Sequence, residues 1–199
     1  GMDEYFKRHD GQAVTIIDFA DAIATPNNAD FSQFKLWYSQ AGTPEVSVVE
    51  NYDLEKKEYT LSLKQFCQLT EKQPSKKAFH IPLLVGLIDS TGKNLILKSK
   101  DIAYNTDEKP VIHLKQIEQN FIFTEVNEKP VLSLNREFSA PIKLNWNATQ
   151  LELLHLIKFD SDAFNRREAI FKMTLQELQR LITNYHNKID LTAKAEVIE

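Results

Sequence analysis

The sequence WYSQAGTP, residues 37–44, is the point at which a helical pattern gives way to a strand pattern. Before it, apolar residues recur every three or four positions, as in an amphipathic helix; after it they alternate with polar residues, as in a half-buried strand. Gly42 ends helices readily because glycine enters the left-handed backbone region without a Cβ clash, and Pro44 forces its predecessor toward an extended conformation. The stretch therefore predicts an abrupt junction between a helical unit and a β-sheet unit.

The residues before this junction predict a short helical unit. An apolar run at residues 2–6 keeps helical spacing and precedes Gly11, which suits the position after a helix end. Thr15 and Asp18 have the spacing of a capping box, in which each side chain accepts a hydrogen bond from the other residue's backbone amide. A second helix is therefore expected after Thr15. One face of it carries Ile16, Phe19 and Ile23.

A third helix is predicted between the turn-forming residues 25–28 and Gly42. Asp30 is the expected N-cap, because its short carboxylate accepts the free amides of a first helical turn. The apolar residues expected to point inward are Phe31, Phe34 and Trp37 or Tyr38.

From Val46 to about Trp146, short alternating runs predict β-strands. Their apolar members are Val46/Val48, Tyr59/Leu61/Leu63, Leu95/Leu97, Phe121/Phe123 and Ile142/Leu144. Residues 53–57, 89–93 and 128–130 separate them and are rich in turn formers. About 100 residues of such strands is the size of a β-sandwich domain.

Beyond Trp146 the helical period returns. Thr149 and Glu152 form another capping-box pattern, which predicts the start of a helix. Two amphipathic helices are expected here, with an apolar stripe formed by Phe164, Phe171, Leu175, Leu178, Ile182 and Tyr185. The segment 189–199 is expected to begin a further helix.

The composition excludes several classes of function. A net charge of −4 over 199 residues provides no basic surface for nucleic acid or anionic lipid. A single cysteine, Cys67, excludes an internal disulfide and a cysteine-built zinc site, which fits a reducing compartment. No apolar run approaches the roughly 20 residues of a membrane span, and the first residues lack a basic and then apolar secretion signal. We therefore expect a cytoplasmic protein with neither nucleic acid nor membrane as a partner.

The residues that carry chemistry are scattered along the chain. A helical zinc-peptidase site requires two histidines four residues apart with a glutamate between them. The histidines are each more than twenty residues from the next, at His9, His80, His113, His155 and His186. Residues 86–92 place a serine near glycines without the G-x-S-x-G elbow, and the glycines form no phosphate-binding loop. The sequence therefore predicts no catalytic, cofactor-binding or metal-ligating residue.

Other reactive or stacking side chains have simpler structural explanations. Cys67 has no neighbouring histidine and is expected to be a packed thiol. The N-terminal carboxylates are expected to cap helices or face solvent; examples are Asp18, Asp21 and Asp30. The largest rings lie at helix–strand junctions and are expected to pack one unit against the next; they are Trp37, Tyr38 and Trp146.

Four blocks of the sequence, in matching order, resemble bacterial aminopeptidase N. They are YFKRHDGQAVT (residues 5–15), WYSQAGTPEV (37–46), FHIPLLVGLID (79–89) and EFSAPIKL (137–144). This family, also called alanyl aminopeptidase, consists of zinc metallopeptidases of the gluzincin type. The resemblance covers essentially the whole chain but only an internal part of a much longer enzyme.

The resemblance implies an α+β multi-domain fragment. Residues 1–42 would be the C-terminal helices of a thermolysin-like catalytic domain, and residues 43–146 an immunoglobulin-like antiparallel β-sandwich. Residues 147–199 would be the first helices of an α-superhelical domain that closes over the active site. The stretch WYSQAGTP would then be an interdomain junction.

The resemblance also implies that zinc belongs to the parent enzyme and not to this chain. The family binds zinc through H-E-x-x-H and a downstream glutamate, grips the substrate amine with a G-A-M-E-N segment and uses a transition-state tyrosine; none of these motifs has a counterpart here. The expected function is that of a non-catalytic internal segment of an enzyme that removes N-terminal amino acids from peptides. Its partners would be the missing domains of the same polypeptide, with the sandwich bracing the catalytic domain against the helical cap.

A second hypothesis is a stand-alone β-sandwich module that binds a peptide or protein at an edge strand or groove. Such a module should expose no large apolar patch. A segment of a larger enzyme should instead expose the faces that meet its other domains. The exposure of apolar side chains therefore separates the two hypotheses.

Overall fold

The computed structural model describes residues 1–192. The N-terminal unit consists of α1 (Met2–His9), α2 (Ile16–Ala24), a 3-10 turn (Thr25–Asn27) and the short α3 (Leu36–Ser39). Eight strands and two longer helices follow it, so the chain runs helical, β and helical again, in the order that the sequence pattern predicts.

The signals predicted for the end of the first helix and the start of the second are confirmed. Gly11, just beyond α1, has a φ of 72°, which is the left-handed conformation expected of it. At the start of α2, Thr15 N lies 2.8 Å from Asp18 Oδ2, and Asp18 N lies 3.3 Å from Thr15 Oγ1, which completes the capping box. Phe19 packs edge-on against Tyr5 with ring centroids 5.1 Å apart, and this contact joins the two helices.

The expected apolar face of α2 is only partly turned inward. Ile16 is exposed, and the side chains that are fully buried are the small residues Ala20, Ala22 and Ala24. Alanines allow a helix to approach its neighbour closely, so packing here uses short side chains in place of the branched ones that the spacing singled out.

The third helix is much shorter than predicted. Residues 32–35 form turns and only Leu36–Ser39 are helical. Asp30 does not cap a helix, because its Oδ1 accepts a hydrogen bond from Ser32 N at 2.8 Å in a local turn. Of the rings expected inside, Phe34 and Tyr38 are exposed, whereas Phe31 and Trp37 are half-buried.

The β-sandwich consists of two four-stranded sheets. Its strands are β1 (Glu45–Asp53), β2 (Glu58–Phe66), β3 (Ile81–Ile88), β4 (Ile102–Tyr104), β5 (Pro110–Leu114), β6 (Glu118–Phe123), β7 (Val131–Leu134) and β8 (Lys143–Trp146). The first sheet has the order β6-β2-β1-β8 and the second the order β4-β5-β3-β7. The chain thus forms β1 and β2 in the first sheet and β3 to β5 in the second, and then adds β6 and β8 to the first sheet and β7 to the second. Two packed sheets whose strands exchange in this way are typical of an Ig-like sandwich.

Alternation along the strands places large rings in the core. Tyr59, Leu61 and Leu63 on β2 are fully buried, and the antiparallel pairing with β6 sets Tyr59 opposite Phe123 and Leu61 opposite Phe121. These are predicted core positions, and the structure confirms them. The central strand β3 is buried almost throughout, because its inner side joins this core and Ile88 packs among the C-terminal helices.

Two features of the sandwich differ from the prediction. The sandwich is not purely antiparallel, because β8 pairs with β1 in parallel, with Val46 opposite Leu144 and Val48 opposite Trp146. The strand predicted at Leu95/Leu97 does not form. Instead, residues 94–98 cross between the sheets, with one bridge to β3 at Asn94 and one to Thr124 beyond β6 at Lys98, so they pair fully with neither.

The C-terminal unit contains α4 (Gln150–Phe159) and α5 (Ala163–His186). The capping box predicted at Thr149 is confirmed, with Thr149 N 2.9 Å from Glu152 Oε2. Of the further helix predicted at 189–199, residues 189–192 are not helical and the remainder lies outside the described residues. Within residues 1–192 no helix combines the length and the apolar character needed to cross a membrane.

Candidate functional site

Two histidines that are 33 positions apart in the sequence meet in the sandwich. The pairing of β3 with β5 sets Pro82 opposite His113, and His80 lies two residues before Pro82, on the same side of the sheet. His80 Nε2 and His113 Nδ1 are 2.8 Å apart, with the ring centroids 4.9 Å apart. Sequence reasoning missed this pair because strand pairing, not sequence spacing, brings the rings together.

Both imidazoles are half-buried, and this lowers their basicity. The pKa of His80 is lowered to about 4. Burial is the largest cause, and the neighbouring His113 and Lys115 lower it further. Burial, followed by Lys115, also lowers the pKa of His113. Both rings are therefore neutral at physiological pH, and one N–H···N hydrogen bond joins them.

The other histidines do not join this pair. His155 Nε2 donates a hydrogen bond to the Asp89 carbonyl at 2.9 Å, which holds the 89–93 turn against α4. That turn is closed by hydrogen bonds from the amides of Thr91 and Lys93 to Asp89 Oδ1, each at 2.9 Å, in a segment that the sequence marks as rich in turn formers. In the part of the chain that the structure describes, no three His, Cys, Asp or Glu side chains come close enough to hold a metal ion.

The remaining sequence candidates have structural roles. Asp18 completes the α2 capping box, Asp21 forms an ion pair with Lys35, and Asp30 closes its local turn. Hydrogen bonds from Thr15 lower the pKa of the Asp18 carboxyl. Cys67 is a buried free thiol.

The first junction attaches residues 33–41 to the sandwich through backbone carbonyls. Trp37 Nε1 donates to the His80 carbonyl at 2.9 Å, and its ring packs on Phe79 with centroids 4.7 Å apart. Gln33 Nε2 donates to the Lys115 carbonyl at 2.6 Å. Gln40 exchanges hydrogen bonds with the backbone of Lys77 at 3.0 and 2.7 Å. These bonds account for the shortened third helix, because they fix the segment in a docked conformation.

The second junction contains a buried polar cluster that the sequence did not reveal. Asp160, at the end of α4, accepts hydrogen bonds from Ser133 Oγ at 2.5 Å and from Arg136 Nη2 at 3.1 Å. Ser133 Oγ in turn accepts from Arg136 Nε at 2.7 Å and from Asn165 Nδ2 at 2.8 Å. The Asp160 side chain is fully buried and that of Arg136 is 15% exposed. The Ser133 hydroxyl therefore uses its donor and both acceptor positions, and its hydrogen bonds connect β7 with α4 and α5.

Trp146 connects the first sheet to α5. Its Nε1 donates to Glu50, which also accepts a hydrogen bond from the buried Tyr59 hydroxyl. Burial is the largest cause that raises the pKa of Tyr59, and the charge of Glu50 raises it further. The hydroxyl therefore stays protonated and remains a donor. Lys172 of α5 lies over the Trp146 ring at 5.5 Å and donates to the Trp146 carbonyl. Trp146 thus packs at the second junction, whereas Tyr38 at the first is about half exposed.

The outer face of α5 is apolar and exposed. Its exposed side chains include Phe171, Leu175, Leu178, Ile182 and Tyr185. A groove of about 570 Å³ lies between this helix and the strand residues Leu132, Leu144 and Trp146. The N-terminal unit likewise exposes Met2 and Phe6. A contiguous apolar stripe of this kind marks a surface that meets another part of a protein.

The chain is similar to aminopeptidases. Aminopeptidase N of Escherichia coli is 39% identical over 169 residues, which are 85% of this chain and 19% of that protein. Aminopeptidase N of Haemophilus influenzae is 33% identical over 198 residues, which are 100% of this chain and 22% of that protein. The resemblance inferred from the four sequence blocks is therefore confirmed. The chain spans about a fifth of the length of these relatives.

A solved structure shows the same similarity in three dimensions. The crystal structure of Legionella pneumophila aminopeptidase A in complex with aspartic acid superposes with a TM-score of 0.76 at 26% identity. The match covers 98% of this chain and 20% of that one.

One family matches the β-rich part of the sequence. It is described as "Domain of unknown function (DUF3458) Ig-like fold", and the match covers residues 42–147. That range begins at Gly42 of WYSQAGTP and includes all eight strands from β1 to β8. The chain belongs to this DUF3458 family of Ig-like domains.

Proposed function

We propose that this chain is a non-catalytic segment of a cytoplasmic zinc aminopeptidase, an enzyme that removes N-terminal amino acids from peptides. Support comes from relatives named aminopeptidase N that match 85% or all of the chain while extending well beyond it. Among the described residues no three metal-ligating side chains come together, so these residues do not fit a catalytic zinc ion. We therefore assign both the zinc and the peptide hydrolysis to other parts of the parent polypeptide.

In this proposal the chain comprises parts of three domains. Residues 1–42 are the last helices of a thermolysin-like catalytic domain, residues 43–146 the β-sandwich, and residues 147–199 the opening helices of a superhelical domain. The sandwich braces the other two. The observation that carries this role is that directional polar contacts fix both helical units to the sandwich, while α5 leaves its other face apolar and exposed.

The absence of catalysis is tested on the purified chain. Zinc content is measured together with hydrolysis of an alanyl chromogenic anilide, with and without added zinc. We expect neither stoichiometric zinc nor turnover. Stoichiometric zinc or turnover of the anilide would mean that the chain contains a complete site of its own, and either result would contradict the proposal.

The bracing role is tested in the full-length polypeptide that contains this chain. Trp37→Ala should lower the melting temperature and leave the zinc content unchanged, because Trp37 packs on Phe79 and donates to the His80 carbonyl, which are contacts of the junction and not of a metal ion. The matched control is Tyr38→Ala in the isolated chain, where the Tyr38 ring is about half exposed, and there it should lower the melting temperature much less than Trp37→Ala does. Loss of zinc at an unchanged melting temperature would contradict the assignment.

The alternative, a stand-alone binding module, is disfavoured by the exposed stripe on α5. An apolar dye should bind the wild-type chain, and Phe171→Glu together with Leu175→Glu should weaken that binding without lowering stability, because both side chains are exposed on α5. A monomeric chain that binds no dye would instead favour the stand-alone module.

A further inference from the structure

The exposed stripe on α5 has the spacing of a seam between packed helices. Its members follow one another at intervals of four, three, four and three residues: Phe171, Leu175, Leu178, Ile182 and Tyr185. This is the a/d pattern of a heptad, with Leu175 and Ile182 at a positions and the others at d positions. The five residues are 44–68% exposed, so the described part of the chain leaves the stripe uncovered. At 1.5 Å per residue the stripe is about 21 Å long, which matches about four turns of a second helix.

The residues that follow α5 lie on its other side. Met173 marks the buried face of α5, in the core shared with α4. Arg180 and Asn184 follow Met173 by seven and eleven residues, so helical geometry places them on the same side as Met173. Arg180 Nη2 donates to the Thr192 carbonyl at 2.8 Å. Asn184 Nδ2 donates to the Asp190 carbonyl at 2.8 Å. As far as residue 192, the chain therefore continues on the side away from the stripe.

The charges beside the stripe favour an acidic neighbour. Arg167 and Lys172 occupy the g and e positions, which flank a heptad seam and select its partner by charge. Arg167 already pairs with Glu168. Lys172 is half-buried over the Trp146 ring and donates to the Trp146 carbonyl, and among residues 1–192 it forms no ion pair with a carboxylate. Burial lowers the pKa of the Lys172 ammonium group, and an approaching carboxylate would offset this cost.

A second copy of this chain packed in parallel fits the stripe poorly. In a parallel pair of heptad helices, a g residue of one helix meets the following e residue of the other, so Arg167 would face Lys172 of the second copy. Like charges placed together across an interface oppose association. A helix with acidic flanking residues has no such conflict.

We propose that the stripe on α5 docks a helix of the parent polypeptide from outside this chain, with apolar residues in the same spacing and a glutamate or aspartate that pairs with Lys172. This inference rests on the proposed function, since the chain spans about a fifth of the aminopeptidase relatives. The apolar residues supply contact area, and the ion pair fixes the register because it forms at only one position along the seam. The groove of about 570 Å³ is lined by Phe171, Lys172 and Leu175, so it adjoins the stripe and has room for side chains of the docked helix.

The occupant is tested by making Leu178→Glu both in the isolated chain and in the full-length polypeptide. Leu178 is exposed in the isolated chain, so its melting temperature should change little there. In the full-length polypeptide the melting temperature should fall by several degrees, because the new carboxylate is buried against the docked helix. Equally small shifts in the two proteins would show that the stripe stays open in the parent and would overturn the proposal.

Zinc content and anilide turnover of the full-length wild type are measured alongside. A zinc-bound, active enzyme that is insensitive to Leu178→Glu would contradict the docking proposal alone. An inactive, zinc-free enzyme would instead contradict the proposed function.

The charge selection is tested on the isolated chain with two synthetic three-heptad peptides. Both have leucine at a and d; one has glutamate at e and g, and the other lysine. Fluorescence anisotropy should show the glutamate peptide binding about tenfold more tightly, and Lys172→Glu should shift the ratio of affinities toward the lysine peptide by about tenfold. Lys158→Glu is the matched control and should leave the ratio nearly unchanged, because Lys158 lies over the Phe159 ring on α4 and is exposed outside the groove.

Two results would overturn the assignment of an acidic helix. Equal affinities for the two peptides would show that Lys172 does not select the partner by charge. A wild-type chain that dimerises, binds neither peptide and becomes monomeric in Leu178→Glu would identify a second copy as the occupant.

Discussion

The guanidinium of Arg136 occupies the space that a side chain at Gly86 would fill, because a Cβ atom at position 86 would lie 2.1 Å from Arg136 Cζ. Gly86 is in the middle of β3, opposite Ser133 of β7. The missing side chain allows Arg136 to cross the strand and reach Asp160 on the far side of the second junction. Glycine usually weakens a strand, and its presence at position 86 is explained by the close approach of the Arg136 side chain.

Gly86→Ala should destabilise the chain by about 2 kcal/mol or more, because the added methyl group displaces Arg136 and leaves the buried Asp160 charge without its partner. Urea denaturation measures the loss. In an Arg136→Ala background the same substitution should cost much less, since the clashing group is already gone. Equal costs in the two backgrounds would show that Gly86 matters for another reason.

Asp160→Asn should cost about 3–5 kcal/mol, because this change removes one member of a buried ion pair. The carboxylate accepts hydrogen bonds from Ser133, Arg136 and the Asp162 amide. An amide nitrogen would face one of these donors with a donor of its own. The unfolding free energy in urea provides the measurement.

The control for this substitution is Glu168→Gln. Glu168 pairs with Arg167 at 2.5 Å on the surface, where the Arg167 side chain is 73% exposed and that of Glu168 is 44% exposed. Exposed pairs contribute little, so a change within about 0.5 kcal/mol is expected. If both variants lost the same stability, burial would not be the cause.

The parts of the fold that sequence predicted correctly depend on short-range chemistry. The capping boxes at Thr15 and Thr149 form because each needs only residues within one turn. The alternation of Tyr59, Leu61 and Leu63 identified β2, because a strand in a two-sheet sandwich has one face in the core and the other outside.

The parts that sequence missed depend on contacts between distant segments. Residues 94–98 have the pattern of a strand but change sheets, so neither sheet pairs with them along their length. The third helix is shortened because Gln33 and Trp37 bond to carbonyls of the sandwich. The cluster around Ser133 likewise joins residues from separate elements, and no local spacing identifies it.

Glu152 should make stability depend on acidic pH. Burial raises the pKa of this carboxyl, but hydrogen bonds from Thr149 and from Lys129, at 3.0 Å, outweigh it and leave the pKa below its ordinary value of 4.5. A carboxyl with a lowered folded-state pKa contributes stability above the unfolded value and loses it as pH falls. The stability difference between wild type and Glu152→Gln should therefore be largest near neutral pH and shrink below about pH 4.5.

Urea denaturation at pH 7 and pH 3 measures this difference. Glu71→Gln, at an exposed position, should give the same small difference at both pH values. A constant difference for Glu152→Gln would mean that the side chain contributes by packing and not by its charge.

Gly92 and Gly11 allow backbone strain to be separated from a steric clash. Both have left-handed φ angles, 89° and 72°. A Cβ atom at Gly92 would lie 2.3 Å from the ring of Phe159 at the end of α4, whereas one at Gly11 would meet nothing within 4 Å. Gly11→Ala should therefore cost only the strain of the left-handed conformation, about 1 kcal/mol. Gly92→Ala should cost about 3 kcal/mol, because overpacking against Phe159 adds to the strain.

Thermal unfolding of both variants tests this, and adding Phe159→Ala to each completes the comparison. That second change should remove most of the difference between the two variants; if the difference persisted, contact between the 89–93 turn and α4 would not be its source.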